Sequence, residues 1–523
     1  MLNRPPVEPF KARRRSVVTA PYPGSVRGVV IAVVAVAVAA AAFAAVVWFR
    51  SGATLASDPT ALARVRLQTF AGRIASVRGS VPLEVRGGRL TPRQKLRPGE
   101  TVAIEVTVRR PGWSAWALGR ERHERLTVTA PVAHVVDRWP VGAHPRVRFD
   151  TPVSAVAFGG RAQPAHGTSV ALPARTPAGT ATVAAAARPW EELGAPVRVT
   201  WFPHTTRTVA LAEPKPGSQV SPLTPIRLTF SRPVGSERPT LSPAVAGRWT
   251  ATDAHTLVFH PSGYGARFDS DESVHFARPV DVLGGRTWHV APASFLRLQQ
   301  LLAQEGYLPV AWSPQGADVA PTRTAQLAAA TRAPAGRFHW RYPNTPHELV
   351  SLWRAGQPNE IVRGAVMMFE DDHGLAVDGI AGPQVWHAAI ADALAGKHRT
   401  DGYSYVYVHR NVPQLLTLWH NGQTVLTSPG NTGVPAAPTQ LGTWPVFEHI
   451  PVGRMSGTNP DGSHYDDPGI RWISYFHGGE ALHAFNRASF GTPQSLGCVE
   501  LPLDAAAKVW PYTPIGTLVT IEN

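Results

Sequence analysis

From Gly28 to Phe49 every position is apolar or small, with no polar interruption. About 20 such residues cross a hydrocarbon core as a helix, so a membrane span is predicted over 28–49. Past Arg50 the pattern becomes one of alternation. Thr101-Val-Ala-Ile-Glu-Val-Thr-Val108 places apolar side chains at every second position, as in a half-buried strand, with Pro and Gly between such runs. Near Pro292 the period changes again. Phe295, Leu298, Leu301 and Leu302 recur three and four apart and stop at Gly306-Tyr307; similar helical patterns run from Ile361 to Phe369 and from Ala388 to Leu394. After Gly402 the chain returns to strands: Tyr403–Val408, Gln414–Trp419, an Asn421-Gly422 hairpin turn, Thr424–Leu426, Thr439–Trp444, Ala481–Phe485 and Thr517–Ile521. These shifts predict a multidomain chain: a basic tail (1–27), the span (28–49), three β-rich modules (51–135, 136–206, 207–290), a small three-helix unit (291–398) and a mainly-β C-terminal domain (402–523).

Composition adds topology. Lys and Arg outnumber Asp and Glu by 15, a balance that suits an anionic neighbour, either nucleic acid or an envelope surface. Lys11, Arg13, Arg14, Arg15 and Arg27 precede the apolar run, so the positive-inside tendency holds the N-terminus in the cytoplasm and sends everything after Arg50 across the membrane. That topology accounts for the basic tail and turns the expectation away from nucleic acid. A cleaved signal peptide is the rival to an uncleaved anchor, but the run is long for one, and the anchor is the reading adopted. The expected location is a single-pass membrane protein with its working domains on the cell-wall side.

Two segments repeat one another: Arg146-Val-Arg-Phe-Asp-Thr-Pro-Val153 and Arg227-Leu-Thr-Phe-Ser-Arg-Pro-Val234. They resemble the strand-and-Pro turn of bacterial immunoglobulin-like modules, which implies β-sandwiches acting as a spacer. In the helical unit, Leu375-Ala-Val-Asp-Gly-Ile-Ala-Gly-Pro383 followed by Trp386 resembles the peptidoglycan-binding domain found beside wall enzymes. About 50 residues separate its first two helices where that family has a short loop, so an insertion is expected. Asp378, Gly379 and Gly382 are expected to shape the turn.

The chain has one cysteine, Cys498, which excludes an intrachain disulfide framework and a Cys-cluster zinc site. Taken alone, a single Cys reads as a small buried hydrophobe. Acyl transfer by a thiol needs a neighbouring base and donors for the developing oxyanion. His483 lies in a strand pattern, and Gly497 would let the backbone approach a carbonyl closely. His464 and His477 lie near His483 in sequence, but no His-x-x-x-His or His-Glu-x-x-His spacing occurs, so no metal is expected.

His483, then about a dozen residues, then Ser495-Leu-Gly-Cys-Val499 resembles the active-site signature of L,D-transpeptidases with the YkuD-type β-fold, and the likeness extends over Tyr403–Asn523. The resemblance implies a cysteine nucleophile, Cys498, with His483 as its proton acceptor. It further implies the Ala484 carbonyl as the group that orients the imidazole, Ser495 and Gly497 as shapers of the nucleophile loop, and Tyr465 near the position of a family tyrosine. Peptidoglycan stem peptides would be donor and acceptor, a thioester the intermediate and 3→3 cross-links the product, with no cofactor. Water as acceptor would make an L,D-carboxypeptidase instead, and loss of catalysis would leave a wall-binding scaffold. Two positions depart from the family pattern: Leu496 stands where a His is common, and Glu500 where Arg or Asn is usual, reversing the local charge.

Overall fold

The structure, a computed structural model, describes residues 26–523. Residues 1–25 of the predicted basic tail, with Lys11, Arg13, Arg14 and Arg15, lie outside the described residues, and its last two residues belong to the helix that follows. The chain divides into two compact units, one ending at His204 and the other running from Thr205 to Asn523.

The first unit opens with a helix, Val26–Phe49. At 1.5 Å per residue it is about 36 Å long, enough to cross a hydrocarbon core of about 30 Å. Its Val29–Phe49 segment has a mean hydropathy of 2.9. The first β-module follows as two sheets. One pairs Ala53–Ala56, Ala63–Leu67, Arg89–Pro92 and Leu83–Arg86; the other pairs Arg73–Gly79, Thr101–Arg109 and Glu121–Thr129. The alternation read in Thr101–Val108 is realised: Val102, Ile104, Val106 and Val108 are all sealed in the core with Leu90 and Leu96.

The next module departs from the expected sandwich. Residues 146–201 form one four-stranded sheet, built from Arg146–Phe158, Arg161–Ala171, Gly179–Ala186 and Val197–Trp201. Its apolar face is closed by irregular chain, including Ala133, Val135, Leu172 and Ala174, in place of a second sheet. In the second unit, the module at 207–290 does have two sheets, of five and four strands, enclosing Leu228, Phe230, Phe259, Val274 and Trp288. The repeated motif occupies matching places: Val147 and Phe149 in one module, Leu228 and Phe230 in the other, face their cores.

The three predicted helices are Phe295–Gln304, Glu360–Asp372 and Pro383–Ala395. Ser294 and Asn359 cap the first two by accepting from Arg297 N and Val362 N, and Pro383 opens the third at a position that needs no N–H donor. The expected insertion carries a hairpin, Val310–Pro314 with Gly336–Trp340, and two further helices, Arg323–Thr331 and His347–Leu352. The Asp378 turn is held from within: the Glu370 carboxylate accepts from Asp378 N at 3.0 Å and Gly379 N at 2.8 Å.

This helical unit shares a core with the C-terminal domain. Leu301, Phe369 and Trp386 join Tyr405, Trp419 and Leu518 in one cluster. Contact is closest where Gly364, in Glu360–Asp372, meets Gly516: a Cβ at 364 would lie 2.4 Å from the Gly516 carbonyl oxygen. Gly364→Ala is therefore expected to destabilise this unit by roughly 1–3 kcal/mol through overpacking, read as a lowered unfolding midpoint.

The C-terminal domain has two sheets. Strands β1 (Ser404–His409), β2 (Leu415–His420), β3 (Gln423–Pro429), β4 (Gly442–Pro445) and β9 (Leu518–Glu522) form the first, in the order β3-β2-β1-β9-β4. Strands β5 (Glu448–Thr458), β6 (His464–His477), β7 (Glu480–Ala484) and β8 (Val499–Leu501) form the second, in sequence order. Asn421 and Gly422 turn β2 into β3 with φ of 47° and 86°, the positive pair a tight hairpin requires.

Candidate active site

The site is built on β7 and β8, which run parallel with Leu482 beside Val499 and His483 beside Glu500. In parallel register, paired residues point to the same side, and side chains alternate along each strand. His483 and Glu500 therefore share one face, and Cys498, two residues before Glu500, shares it too. Neighbouring strands about 4.8 Å apart and a step of two residues put Cys498 and His483 diagonally, with Cα atoms about 8 Å apart. Leu482 and Val499 face the opposite way, into the core between the sheets.

Each side chain is fixed locally. His483 is 3% exposed, and its Nδ1 lies 3.0 Å from the Ala484 carbonyl oxygen. A carbonyl only accepts, so Nδ1 carries the proton and Nε2 is left bare. Cys498 is half-buried, packed with Ile470, Ile473 and Ala481, with Sγ 3.7 Å from the Gly479 carbonyl. The Ser495 hydroxyl donates to the Cys498 carbonyl at 2.5 Å and accepts from Gly497 N at 3.3 Å, tying the turn around the thiol. Gly497 has φ of 112°, which disfavours any L side chain, and an added Cβ would sit 3.3 Å from the Glu480 carboxylate. Burial pushes the phenol of Tyr465, on the long β5–β6 hairpin, above its usual range.

The reversed charge at Glu500 is balanced by a residue that sequence reasoning missed. Glu500 is buried, and Arg487 grips it with two parallel hydrogen bonds, Nε to Oε2 at 2.8 Å and Nη2 to Oε1 at 2.6 Å. The same guanidinium stacks 4.6 Å from the centre of the Phe485 ring and donates to the Gln494 carbonyl at 3.2 Å. Asn431, fully buried, exchanges two backbone bonds with Glu500 at 2.9 Å and accepts from Gly491 N at 3.0 Å, bracing the loop that leads to Cys498. Glu480 was also missed. Its carboxylate accepts from Gln440 N at 3.2 Å, pairs with His477 at 3.4 Å and lies against Gly497. His464 sits apart at the hairpin tip, beside Thr458. An open cleft of about 690 Å³, lined by Ile470, Arg471, Ala484, Phe485, Phe490 and Leu503, adjoins the end of β7.

Electrostatics make the resting pair neutral. Burial, reinforced by the Glu500 and Glu480 carboxylates and opposed by the Ala481 N–H, pushes the Cys498 thiol up to about 12. Burial also holds the His483 imidazole below its ordinary value, against the pull of the Ala484 carbonyl and Glu500. Both groups are therefore neutral at rest, unlike a standing thiolate–imidazolium pair. Alkylation of Cys498 by iodoacetamide at pH 7.5 is accordingly expected to run at least about tenfold slower than that of a free thiol, since only the thiolate reacts. The acid limb of any His483-dependent acylation is expected to inflect below about 6.5, because the base stays deprotonated to lower pH than a free imidazole. Mass-resolved alkylation and a pH–rate series measure these.

No curated protein matches the chain. Among solved structures, an L,D-transpeptidase from Mycobacterium smegmatis is similar at 13% identity over 61% of this chain and 100% of that one, with a TM-score of 0.22. L,D-transpeptidase 3 from Mycobacterium tuberculosis matches at 12% identity over 60% and 97%, with a TM-score of 0.21. The catalytic domain of an E. faecium L,D-transpeptidase matches at 22% identity over 24% of this chain and 98% of its own, also at 0.21. The family model for the L,D-transpeptidase catalytic domain covers residues 403–521. The C-terminal portion of the chain is thus a YkuD L,D-transpeptidase catalytic domain.

Proposed function

We propose that this domain is a peptidoglycan L,D-transpeptidase working through a thioester on Cys498. The observation that supports the reading is the β7–β8 register, which pairs His483 with Glu500 while the half-buried Cys498 immediately precedes β8. As Sγ attacks the carbonyl of the third residue of a donor stem, its proton passes to His483 Nε2. The oxyanion that forms is met by the Cys498 N–H. Collapse breaks the amide bond; the leaving terminal D-Ala amine takes the proton back from His483, and a thioester remains. The side-chain amine of a second stem attacks it, His483 takes that proton, and the thiolate leaves and is reprotonated. The product is a 3→3 cross-link.

The neutral resting pair supports this sequence, since each half-reaction begins with a bare Nε2. The cleft at Phe485 and Arg471 offers room for a stem peptide and a cation for its carboxylate. The helical unit packed on the first sheet is read as a wall-binding module that brings the site to its polymer. Incubation with a carbapenem and intact-mass measurement is the test. One covalent adduct that maps to Cys498 is expected, followed by cross-linked dimers from purified tetrapeptide muropeptides. Tripeptide without dimer would redirect the reading to a carboxypeptidase, and absence of any adduct to a non-catalytic scaffold.

A further inference from the structure

Where the apolar helix Val26–Phe49 ends, the first β-module is joined to it without a flexible hinge. Val47, in the last turn of the helix, and Ser51, two residues past its end, are buried. Ser51 Oγ donates to the Trp48 carbonyl at 3.1 Å and accepts from Arg110 Nε at 2.9 Å. The Arg110 guanidinium lies 4.8 Å over the Trp48 ring, with Arg122 at 6.0 Å. Phe70 N donates to the Arg50 carbonyl, and Gly52 N to the Gln68 side chain. These contacts fix the module's orientation to the helix axis.

The same contacts carry part of the module back along the helix. The Phe70 ring meets Phe43 edge-on at 6.2 Å, and Phe43 lies six residues before Phe49, about 9 Å inside the helix end. Phe70 in turn meets Trp113 at 6.1 Å. Trp113 is the second residue of the short helix Gly112–Leu118, in which Trp116 is 84% exposed and Trp113 54% exposed. A soluble surface has no use for two such indoles beside an apolar helix. At a bilayer interface, Trp is the favoured residue, its ring in the acyl boundary and its N–H among headgroups. Arg50, at the end of the apolar helix, and Arg120, just past the short helix, are exposed and suit anionic headgroups.

We infer that the first β-module is seated in the outer leaflet of the bilayer its own helix crosses, with Phe70, Trp113 and Trp116 immersed at the headgroup–acyl boundary. The inference rests on the helix being retained as an anchor. It goes further in giving the stalk a set tilt and height above the membrane in place of a free tether.

Full-length protein carrying Cys498→Ser and Ala117→Cys, with a nitroxide at 117 and reconstituted in phosphatidylglycerol–phosphatidylethanolamine vesicles, tests it. Ala117 is exposed beside Trp116, so labelling leaves both indoles in place. Expected are loss of broadening by a water-soluble nickel chelate and gain of broadening by oxygen, to the level of a Phe49→Cys label. Adding Trp113→Ala and Trp116→Ala, both exposed, is expected to return the label toward the aqueous value. A label at 117 as chelate-accessible as free nitroxide, while intact mass shows the helix retained, overturns the seating and leaves the anchor standing. Intact mass lacking the helix overturns both.

Discussion

Cys498→Ala is expected to abolish covalent acylation, and His483→Gln to slow it by about 10²–10⁴, the usual worth of a positioned general base. The two effects should not add. Once the thiol is gone there is no proton for His483 to take, so the double variant should match Cys498→Ala alone. Glutamine preserves the shape at 483, and its amide can still donate to the Ala484 carbonyl, so folding should be retained while the bare nitrogen is lost. The neutral resting state makes the histidine's share large. With the thiol pushed up to about 12, almost no thiolate exists at pH 7 without it. A residual rate that rises steeply with pH in His483→Gln, following hydroxide where wild type is flat, is the signature of lost base catalysis. Stopped-flow acylation with a carbapenem, read by mass, measures both. A His483→Gln rate within threefold of wild type would remove the histidine from the mechanism.

What was legible in the sequence and what was not divides by the range of the interaction. Cys498, His483, Gly497 and Ser495 are picked out by resemblance to a family signature carried in two short segments; which strands those segments pair with follows from the β7–β8 register alone. The Asn421-Gly422 turn was equally local, its positive φ values dictated by residue type. The single sheet at 146–201 was not, because alternation fixes a strand's two faces and leaves open what covers the buried one. Glu500 shows the limit most clearly. In sequence it stands 13 residues from Arg487, with no periodicity joining them. Only the parallel register of β7 and β8, together with the loop braced by Asn431, brings the guanidinium back onto the carboxylate. A charge that looked reversed is half of a pair.

That pair sets up the second large effect. Arg487→Ala would leave the Glu500 carboxylate buried and uncompensated, and the side chain of Glu500 is only 5% exposed. Removing one partner of a fully buried pair costs roughly 3–5 kcal/mol; because Arg487 is itself 31% exposed, about 2–3 kcal/mol is expected here. The chemistry should move as well, and in a fixed direction. Arg487 depresses the His483 imidazole and Glu500 elevates it, so loss of the cation lets the carboxylate dominate. His483 then holds its proton to higher pH, and the acid limb of acylation shifts upward. Arg487→Met combined with Glu500→Leu removes both charges and should recover most of the stability, since an apolar pair of similar volume needs no desolvation. It should also bring the acid limb back below that of Arg487→Ala. Chemical denaturation and pH–rate profiles of the three chains separate the two roles. Stability lost without any shift of the acid limb would make Arg487 a structural clamp with no influence on the base.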